Sequence, residues 1–274
     1  MSNNGCKAGT AKYYMTGVQT LHTELGTDIK PLRMPLVKRT LKGIERIPRP
    51  PTTTPKLPIT VAVLSQLSHF INLKTHHDRT LWAMMTLATY GLLRCGEITM
   101  DTHDRDRYPK LRHWNMSPDG ALATFLPQSK NDPTRTGTPI FVARNNSPTC
   151  PVNAVHTMLS YHPAPLRPNS PLFSLDGSSP ITRYGFLKSV SSLLSRAGLD
   201  SSQYSGHSFR RGGAQSAYDT GLPIDDLQLI GRWKSLDVAR RYFGLTLHKL
   251  QSLSSATSSS NPSRPLRFES LGQH

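Results

Sequence analysis

The sequence predicts a mainly helical α+β fold that includes one small three-stranded antiparallel sheet. Apolar residues recur at helical spacing through most of residues 57–246. Between residues 111 and 143 this spacing changes to short apolar runs separated by turn residues, which is typical of paired strands. With 274 residues, 36% of them hydrophobic, the chain is long enough to bury a core in one large domain or two smaller ones.

The helices are predicted from apolar faces and from residues that begin or end helices. Thr60 can cap a helix in which Leu64 and Leu67 share one face. An apolar helix follows from about residue 79 to residue 90 and ends near Gly91. The same signals predict further helices over residues 36–47, 150–162, 182–197, 207–221, 223–231 and 235–243.

The sheet is predicted as a meander with one tight turn and one longer, basic turn. LRHWNM, ALATFLP and TPIFVA are the three candidate strands. A Ser-Pro-Asp-Gly turn joins the first two, and the polar loop QSKNDPTRTG joins the second to the third. Lys130 lies at the tip of this longer turn, from which a long cationic side chain can reach into a groove.

The composition divides the chain into residues 1–55, 56–246 and 247–274. Between Lys30 and Lys56 there are eight Lys or Arg residues, one acidic residue and six prolines. This stretch is either a solvated basic spacer or a strap that lies along a phosphate backbone through Lys38, Arg39, Lys42 and Arg46. The Ser-rich residues 247–274 are expected to be disordered.

The net charge indicates an anionic partner. The chain has 33 Lys and Arg residues against 17 Asp and Glu residues, a formal net charge of +16. Nucleic acid is the first candidate, and an anionic membrane surface or an acidic substrate is the second. No apolar run is long enough to span a bilayer, and no secretory signal is visible. Three widely spaced cysteines predict neither a disulfide framework nor a zinc site, so we expect an intracellular protein without metal or cofactor.

Several side chains that can bind a phosphodiester occur in separate segments. His207 and Arg210 are three residues apart, so on a helix they share a face, and both can donate hydrogen bonds to a phosphate. Gly212 and Gly213 follow them, which indicates that another part of the chain approaches closely there. Further candidates are Arg94 and Glu97 after an apolar helix, Lys130 in the sheet, and Trp233 and Tyr242 downstream.

At these residues the sequence resembles the tyrosine recombinase, or phage-integrase-like, family. The matching segments are GLLRCGEI, SKND, GHSFRRGGA and LIGRWKSLDVARRYF, which occur in the family's order and close to its spacing. The details are most similar to recombinases of eukaryotic Crypton- or Ngaro/DIRS-type mobile elements, or to the Cre-like branch. The resemblance covers residues 56–246 and implies the catalytic domain of a tyrosine recombinase. It also implies a homotetramer that acts on double-stranded DNA to recombine or integrate a mobile element.

The resemblance implies a role for each matching residue. Arg94 and Arg210 would clamp the oxygens of the scissile phosphate, together with His207 and the indole N–H of Trp233. Lys130 would protonate the leaving 5′ oxygen, and Tyr242 would attack phosphorus to leave a 3′-phosphotyrosyl bond. Glu97 would brace the pocket. A free phenol has a pKa of about 10, so surrounding cations would favour its attack at neutral pH. Arg211 and Arg232 are predicted as further DNA contacts.

Alternatives remain for the residues and for the function. Lys110 or Arg135 can take the place of Lys130, and Tyr218 and Tyr204 compete with Tyr242. The nearest enzymatic alternative is a type IB topoisomerase, and the other is a DNA-binding remnant without catalysis. Residues 1–55 resemble the last helices of the family's N-terminal DNA-binding domain, with its first half absent. A eukaryotic host would place the protein in the nucleus, and a bacterial host in the cytoplasm or nucleoid.

Overall fold

A computed structural model describes residues 8–46, 55–100, 108–116, 120–126 and 137–242. Contacts between Cα atoms divide the chain into two compact units, Met1–Thr54 and Pro55–His274. Lys130 and Arg135 in the longer turn of the sheet, and the Ser-rich tail, lie outside the described residues. No helix in the described part of the chain is long and apolar enough to cross a membrane.

The N-terminal unit contains helices α1 (Ala8–Glu24) and α2 (Pro35–Arg46), which contact each other. The helix predicted over residues 36–47 is therefore confirmed. One face of α2 carries Val37, Leu41 and Ile44, which are half-buried, whereas its basic residues are exposed. None of the described residues in this unit is fully buried.

The C-terminal unit is organised around a central helix, α4 (His76–Tyr90), in which all residues from Thr80 to Thr89 are buried. Before it lies α3 (Val61–Ser68), where the Thr60 side chain accepts a hydrogen bond from the Val63 N–H and thus forms the predicted cap. The other helices of this part are α5 (Cys95–Ile98), α6 (Pro151–Ser160) and α7 (Arg183–Arg196). The predicted helices are confirmed, and α4 begins three residues before its predicted start because Thr75 caps it.

The three-stranded sheet is also confirmed. Strands β1 (Trp114–Met116), β2 (Leu122–Leu126) and β3 (Thr138–Val142) pair in the order β1-β2-β3, all antiparallel. Alternate residues of β2 and β3 point into the core, as period-2 burial requires. Residues 111–113 form a 3-10 turn instead of the first half of β1 as predicted.

The end of the C-terminal unit adds α8 (Ser208–Asp219), α9 (Ile224–Gly231) and α10 (Leu236–Arg240). Gly212 and Gly213 allow α8 to pack directly on main chain: a Cβ on Gly212 would lie 1.8 Å from the carbonyl oxygen of Ile59, and one on Gly213 would lie 2.0 Å from that of Thr89. The close approach that the paired glycines predicted is therefore found. A small apolar cluster joins α8, α9 and α10, and it contains Tyr218, one of the two competing tyrosines.

Candidate active site

Two tight turns present the candidate residues to the start of α8. The first turn follows α4 and leads into Arg94, which is the N-cap residue of α5. The second follows α9 and leads into Trp233. Arg210 lies in the first turn of α8, and Tyr242 follows α10. The fold thus brings together residues that are up to 148 positions apart in the sequence.

Arg210, Trp233 and Tyr242 form one stack. The guanidinium carbon of Arg210 lies 4.7 Å from the centroid of the Trp233 ring and 5.4 Å from that of the Tyr242 ring. The two rings are 4.8 Å apart and tilted by 41°. Gly231 makes room for the indole, because a Cβ there would lie 2.0 Å from a Trp233 ring carbon. The predicted nucleophile therefore lies beside the predicted phosphate-binding residues.

The Arg210 guanidinium is fully buried and is bonded to main chain. Nη1 donates to the carbonyl oxygen of Leu92, and Nη2 donates to that of Gly231. Burial, together with repulsion from the nearby cations Arg94 and Arg232, lowers the pKa of Arg210 to about 10. In this arrangement Arg210 joins the two turns. The contact of its guanidinium with the scissile phosphate, which the resemblance implies, stays a prediction.

Glu97 is the carboxylate that two arginines share. Its Oε1 accepts a hydrogen bond from Nη1 of Arg94 at 2.8 Å, and its Oε2 accepts one from Nη2 of Arg232 at 3.1 Å. Oε2 also accepts the main-chain N–H of Arg94 at 2.8 Å, so Glu97 fixes both ends of that residue. The Glu97 side chain is only 5% exposed. Glu97 thus bonds to both Arg94 and Arg232, and its predicted role in bracing the pocket stays a prediction.

The cluster has more positive than negative charge. Arg94, Arg210 and Arg232 supply three guanidinium groups close to one carboxylate, Glu97. Burial is the largest cause that lowers the pKa of Arg232, and Coulombic repulsion from Arg94 adds to it. A site with a surplus of partly desolvated positive charge favours binding of an anion such as a phosphodiester.

The backbone of both turns adopts a conformation that is unfavourable for its residues. Among the described residues, Leu92 (φ 47°) and Arg232 (φ 54°) are the non-glycine residues with positive φ. This left-handed region costs a residue with a Cβ about 1–2 kcal/mol. Both residues come directly after a helix and a glycine, Gly91 in one turn and Gly231 in the other. Because of this conformation, the carbonyl groups of Leu92 and Gly231 are available to Arg210.

The indole N–H of Trp233 is buried without a hydrogen-bond partner among the described residues. Nε of Arg210 is in the same state. A buried donor without an acceptor costs roughly 1–3 kcal/mol. Both donors lie within the stack that Tyr242 covers. The stack therefore contains two N–H groups that have no acceptor among the described residues.

The remaining predicted residues lie in different places. His207 is exposed at the N-terminus of α8, one turn before Arg210. Arg211 donates to the main-chain oxygen of Lys56 at 2.8 Å and is partly exposed. The structure describes nothing of Lys130. On α2 of the N-terminal unit, four exposed cations form a basic face: Lys38, Arg39, Lys42 and Arg46.

The Arg232 side chain is engaged within the protein. The sequence placed it among the DNA-contacting residues, but its side chain is only 12% exposed and bonds to Glu97 and to three main-chain oxygens. Its left-handed backbone directs the side chain inward. The sequence offered one signal for this: Arg232 follows the last residue of a predicted helix, where glycine is usual. The carbonyl acceptors of Leu92 and Gly231 had no sequence signal, since every residue has a carbonyl.

Comparison with known proteins identifies the fold. No known protein-family profile and no curated protein matches the chain. The XerA recombinase superposes with a TM-score of 0.55 at 15% identity, over 94% of this chain and 85% of that one. The Tn1549 transposon integrase in complex with transposon right end DNA superposes with a TM-score of 0.52 at 14% identity, over 93% and 86%. The XerH site-specific recombinase in its pre-cleavage complex with difH substrate superposes with a TM-score of 0.51 at 12% identity, over 93% of this chain and 72% of that one. The chain therefore has the fold of these recombinases, which confirms the fold class that the sequence predicted.

Proposed function

We propose that this chain cleaves and rejoins double-stranded DNA through a 3′-phosphotyrosyl intermediate on Tyr242. The observation that carries the proposal is the stack of Tyr242 and Trp233 on the Arg210 guanidinium, next to the Arg94–Glu97–Arg232 cluster. Two proteins with the same fold, a transposon integrase and a site-specific recombinase, are bound to DNA in their structures. This supports double-stranded DNA as the partner.

The reaction is a transesterification without net bond loss. The Tyr242 hydroxyl releases its proton to solvent as its oxygen forms a bond to phosphorus, and the bond from phosphorus to the 5′ oxygen breaks. The electron pair of that bond goes to the 5′ oxygen, which takes up a proton; the predicted donor is Lys130. In the reverse step, a 5′ hydroxyl of another strand attacks the phosphotyrosyl bond and releases Tyr242. The energy of the original phosphodiester is thereby kept, so ligation uses no nucleotide.

In this proposal the arginines of the cluster have different roles, which follow from their exposure and contacts. Arg94, the most exposed of the three, binds a non-bridging oxygen of the phosphate through its planar fork. Arg210 supplies a fixed positive charge beneath the phosphate and against the Tyr242 ring. The indole N–H of Trp233 becomes a second donor to the phosphate when the Tyr242 ring turns aside to direct its oxygen at phosphorus.

Full recombination requires more than one copy of the chain. Two duplexes present four strands, so we propose that four copies assemble on two DNA sites, each cutting one strand. In this proposal the basic face of α2 contacts the phosphate backbone without reading bases, because lysine and arginine on an exposed helix face supply mainly nonspecific attraction.

A covalent-adduct assay tests the proposal. Nicked duplexes with a randomised central sequence serve as substrates, since cleavage next to the nick releases a short fragment and leaves the protein trapped on the DNA. Tyr242→Phe is compared with Tyr184→Phe, a change at a tyrosine on α7 that is 76% exposed. We expect denaturation-resistant adducts with the unaltered chain and with Tyr184→Phe, and none with Tyr242→Phe.

Two other results would contradict strand exchange. Binding of the duplex without any adduct would favour a DNA-binding protein without catalysis. Adducts accompanied by relaxation of supercoiled plasmid, with no joining of strands between duplexes, would favour a topoisomerase.

A further inference from the structure

We propose that Arg232 is a positioning residue for the phosphodiester site, which holds the turn after α9 against the turn after α4 and thereby orients Arg94. The inference rests on the proposed function. It assigns to Arg232 a role other than the direct DNA contact that its charge suggests.

The first observation is the backbone. Arg232 has φ 54° and ψ 41°, the left-handed conformation that glycine adopts without strain. Glycine is the usual residue where a helix ends in this way, and the preceding residue, Gly231, is a glycine with ordinary φ. Strain that persists at such a position indicates that the surrounding structure or the side chain's role holds it there.

The second observation is what the Arg232 side chain contacts. Nη1 donates to the carbonyl oxygens of Gly91 at 3.3 Å and Ile230 at 3.2 Å. Nη2 donates to the carbonyl oxygen of Leu92 at 3.2 Å and to Oε2 of Glu97 at 3.1 Å. One planar guanidinium therefore reaches both turns at once. A lysine ammonium is a single point and cannot span these acceptors together.

The third observation connects Arg232 to the phosphate site. Glu97 receives Arg232 on one oxygen and the Arg94 side chain on the other. Its position is therefore fixed by both arginines, and Arg94 is fixed in turn by Glu97. Without Arg232 the carboxylate keeps only Arg94 as a cationic partner among the described residues. The Glu97 carboxylate can then move together with the Arg94 side chain, so it no longer fixes the position of that side chain.

The consequence is an effect on the chemical step and not on DNA affinity. A catalytic group that is displaced by about 1 Å can lose roughly 100-fold in rate. Arg232 is 12% exposed and its Nη atoms are engaged with protein acceptors, so its removal takes no phosphate contact away. A direct contact would behave differently, because each cation that neutralises a phosphate contributes about 0.9 to the slope of log affinity against log salt.

Single-turnover adduct formation tests the inference. Arg232→Gly removes the side chain but suits the left-handed backbone, and Arg232→Lys keeps the charge without the fork. The control is Lys234→Ala, an exposed cation two residues away. With saturating nicked duplex, we expect Arg232→Gly to form adducts roughly 100-fold more slowly. Arg232→Lys should recover little of this rate, and Lys234→Ala should match the unaltered chain. The dissociation constant for the duplex and its salt slope should stay unchanged for both Arg232 variants.

Two results would overturn the inference. An unchanged rate at saturating DNA with weaker binding and a salt slope smaller by about 0.9 would show that Arg232 contacts a phosphate. An unchanged rate with unchanged binding would show that Arg232 has no role in the reaction.

A second measurement does not depend on catalysis. If the unaltered chain formed no adduct, the proposed function would fail, but the bridge through Glu97 could still be measured. Melting temperatures are compared for Arg94→Met, Arg232→Gly and the double variant. We expect the double variant to lower the melting temperature by more than the sum of the single shifts, because only then does the buried Glu97 lose both cationic partners. Additive shifts would contradict the bridge.

Discussion

The two units of this protein hold their positive charge in opposite ways. In the C-terminal unit, three arginines are less than one-fifth exposed, and each donates to a carboxylate or to main-chain oxygens. In the N-terminal unit, the cations of α2 lie on an exposed face. Buried charges with fixed acceptors have defined positions, so they can act on one phosphodiester. Exposed charges on flexible side chains attract a backbone without defining one position.

The two units also differ in how tightly their helices pack. This difference leads to the largest expected effect, a change in the free energy of unfolding. Gly212 on α8 leaves no space for a Cβ beside the Ile59 carbonyl, whereas Gly43 on α2 has nothing within 4 Å. We expect Gly212→Ala to lower the free energy of unfolding by about 2–3 kcal/mol, because α8 must move away from main chain that cannot yield. Gly43→Ala should raise helical stability by about 0.5–1 kcal/mol. Urea denaturation followed by circular dichroism measures both.

A control in the C-terminal unit separates crowding from helix propensity. Gly96 on α5 also has nothing within 4 Å of its ideal Cβ. Gly96→Ala should therefore cause no loss in the free energy of unfolding. Equal losses for Gly96→Ala and Gly212→Ala would contradict the explanation from close approach.

Much of this organisation could be predicted from the sequence. Helix periodicity, the cap at Thr60 and the change of period between residues 111 and 143 predicted the helices and the sheet. The resemblance brought Arg94, Arg210, Trp233 and Tyr242 into one site, and the structure places them together. These features depend on residue type and local spacing, which the sequence contains.

The rest of the site depends on main-chain direction, which residue type does not determine. The acceptors for Arg210 are carbonyl groups of Leu92 and Gly231, which point at it because of the two left-handed turns. The glycines in these turns, Gly91 and Gly231, suggest that the left-handed residue is the glycine itself. In the structure the left-handed residue is the one after each glycine, Leu92 or Arg232. The inward direction of the Arg232 side chain was therefore not predicted.

The second expected effect is on DNA binding, and it tests whether the exposed cations of α2 contact the phosphate backbone. Replacing Lys38, Lys42 and Arg46 on the exposed face of α2 with alanine should weaken duplex binding at low salt. The slope of log affinity against log salt should fall by about 0.9 for each phosphate contact that is lost. Fluorescence anisotropy at several salt concentrations measures the slope. Lys12→Ala is the control, since Lys12 on α1 is paired with Glu45. An unchanged slope for the triple variant would contradict a backbone contact by α2.

The smallest expected effect concerns a partly buried histidine in the C-terminal unit, His76. His76 donates to the carbonyl oxygen of Ser174 at 2.8 Å, and its ring lies 4.8 Å from that of His162. Burial lowers the pKa of His76 from 6.5, and repulsion from His162 and Arg79 adds to this, while the Ser174 bond and Asp176 oppose it. The unfolded chain therefore binds a proton at a higher pH than the folded chain does.

The lowered pKa of His76 in the folded chain determines how stability changes with pH. Stability is greatest above pH 6.5 and is lost as the pH falls from 6.5 through the lower pKa of the folded state. The melting temperature of the unaltered chain should fall over this range more steeply than that of His76→Gln. Parallel curves for the two proteins would contradict the assignment.

The most direct test of the central claim is to identify the residue that carries the DNA. After nuclease digestion of a trapped adduct, trypsin should release residues 242–249, YFGLTLHK, which contain one tyrosine. Mass spectrometry should find this peptide heavier by a 3′-linked nucleotide phosphate, with fragmentation placing the added mass on Tyr242. The same mass on a peptide containing Tyr204 or Tyr218 would contradict the assignment of the nucleophile and, with it, the role given to the stack on Arg210.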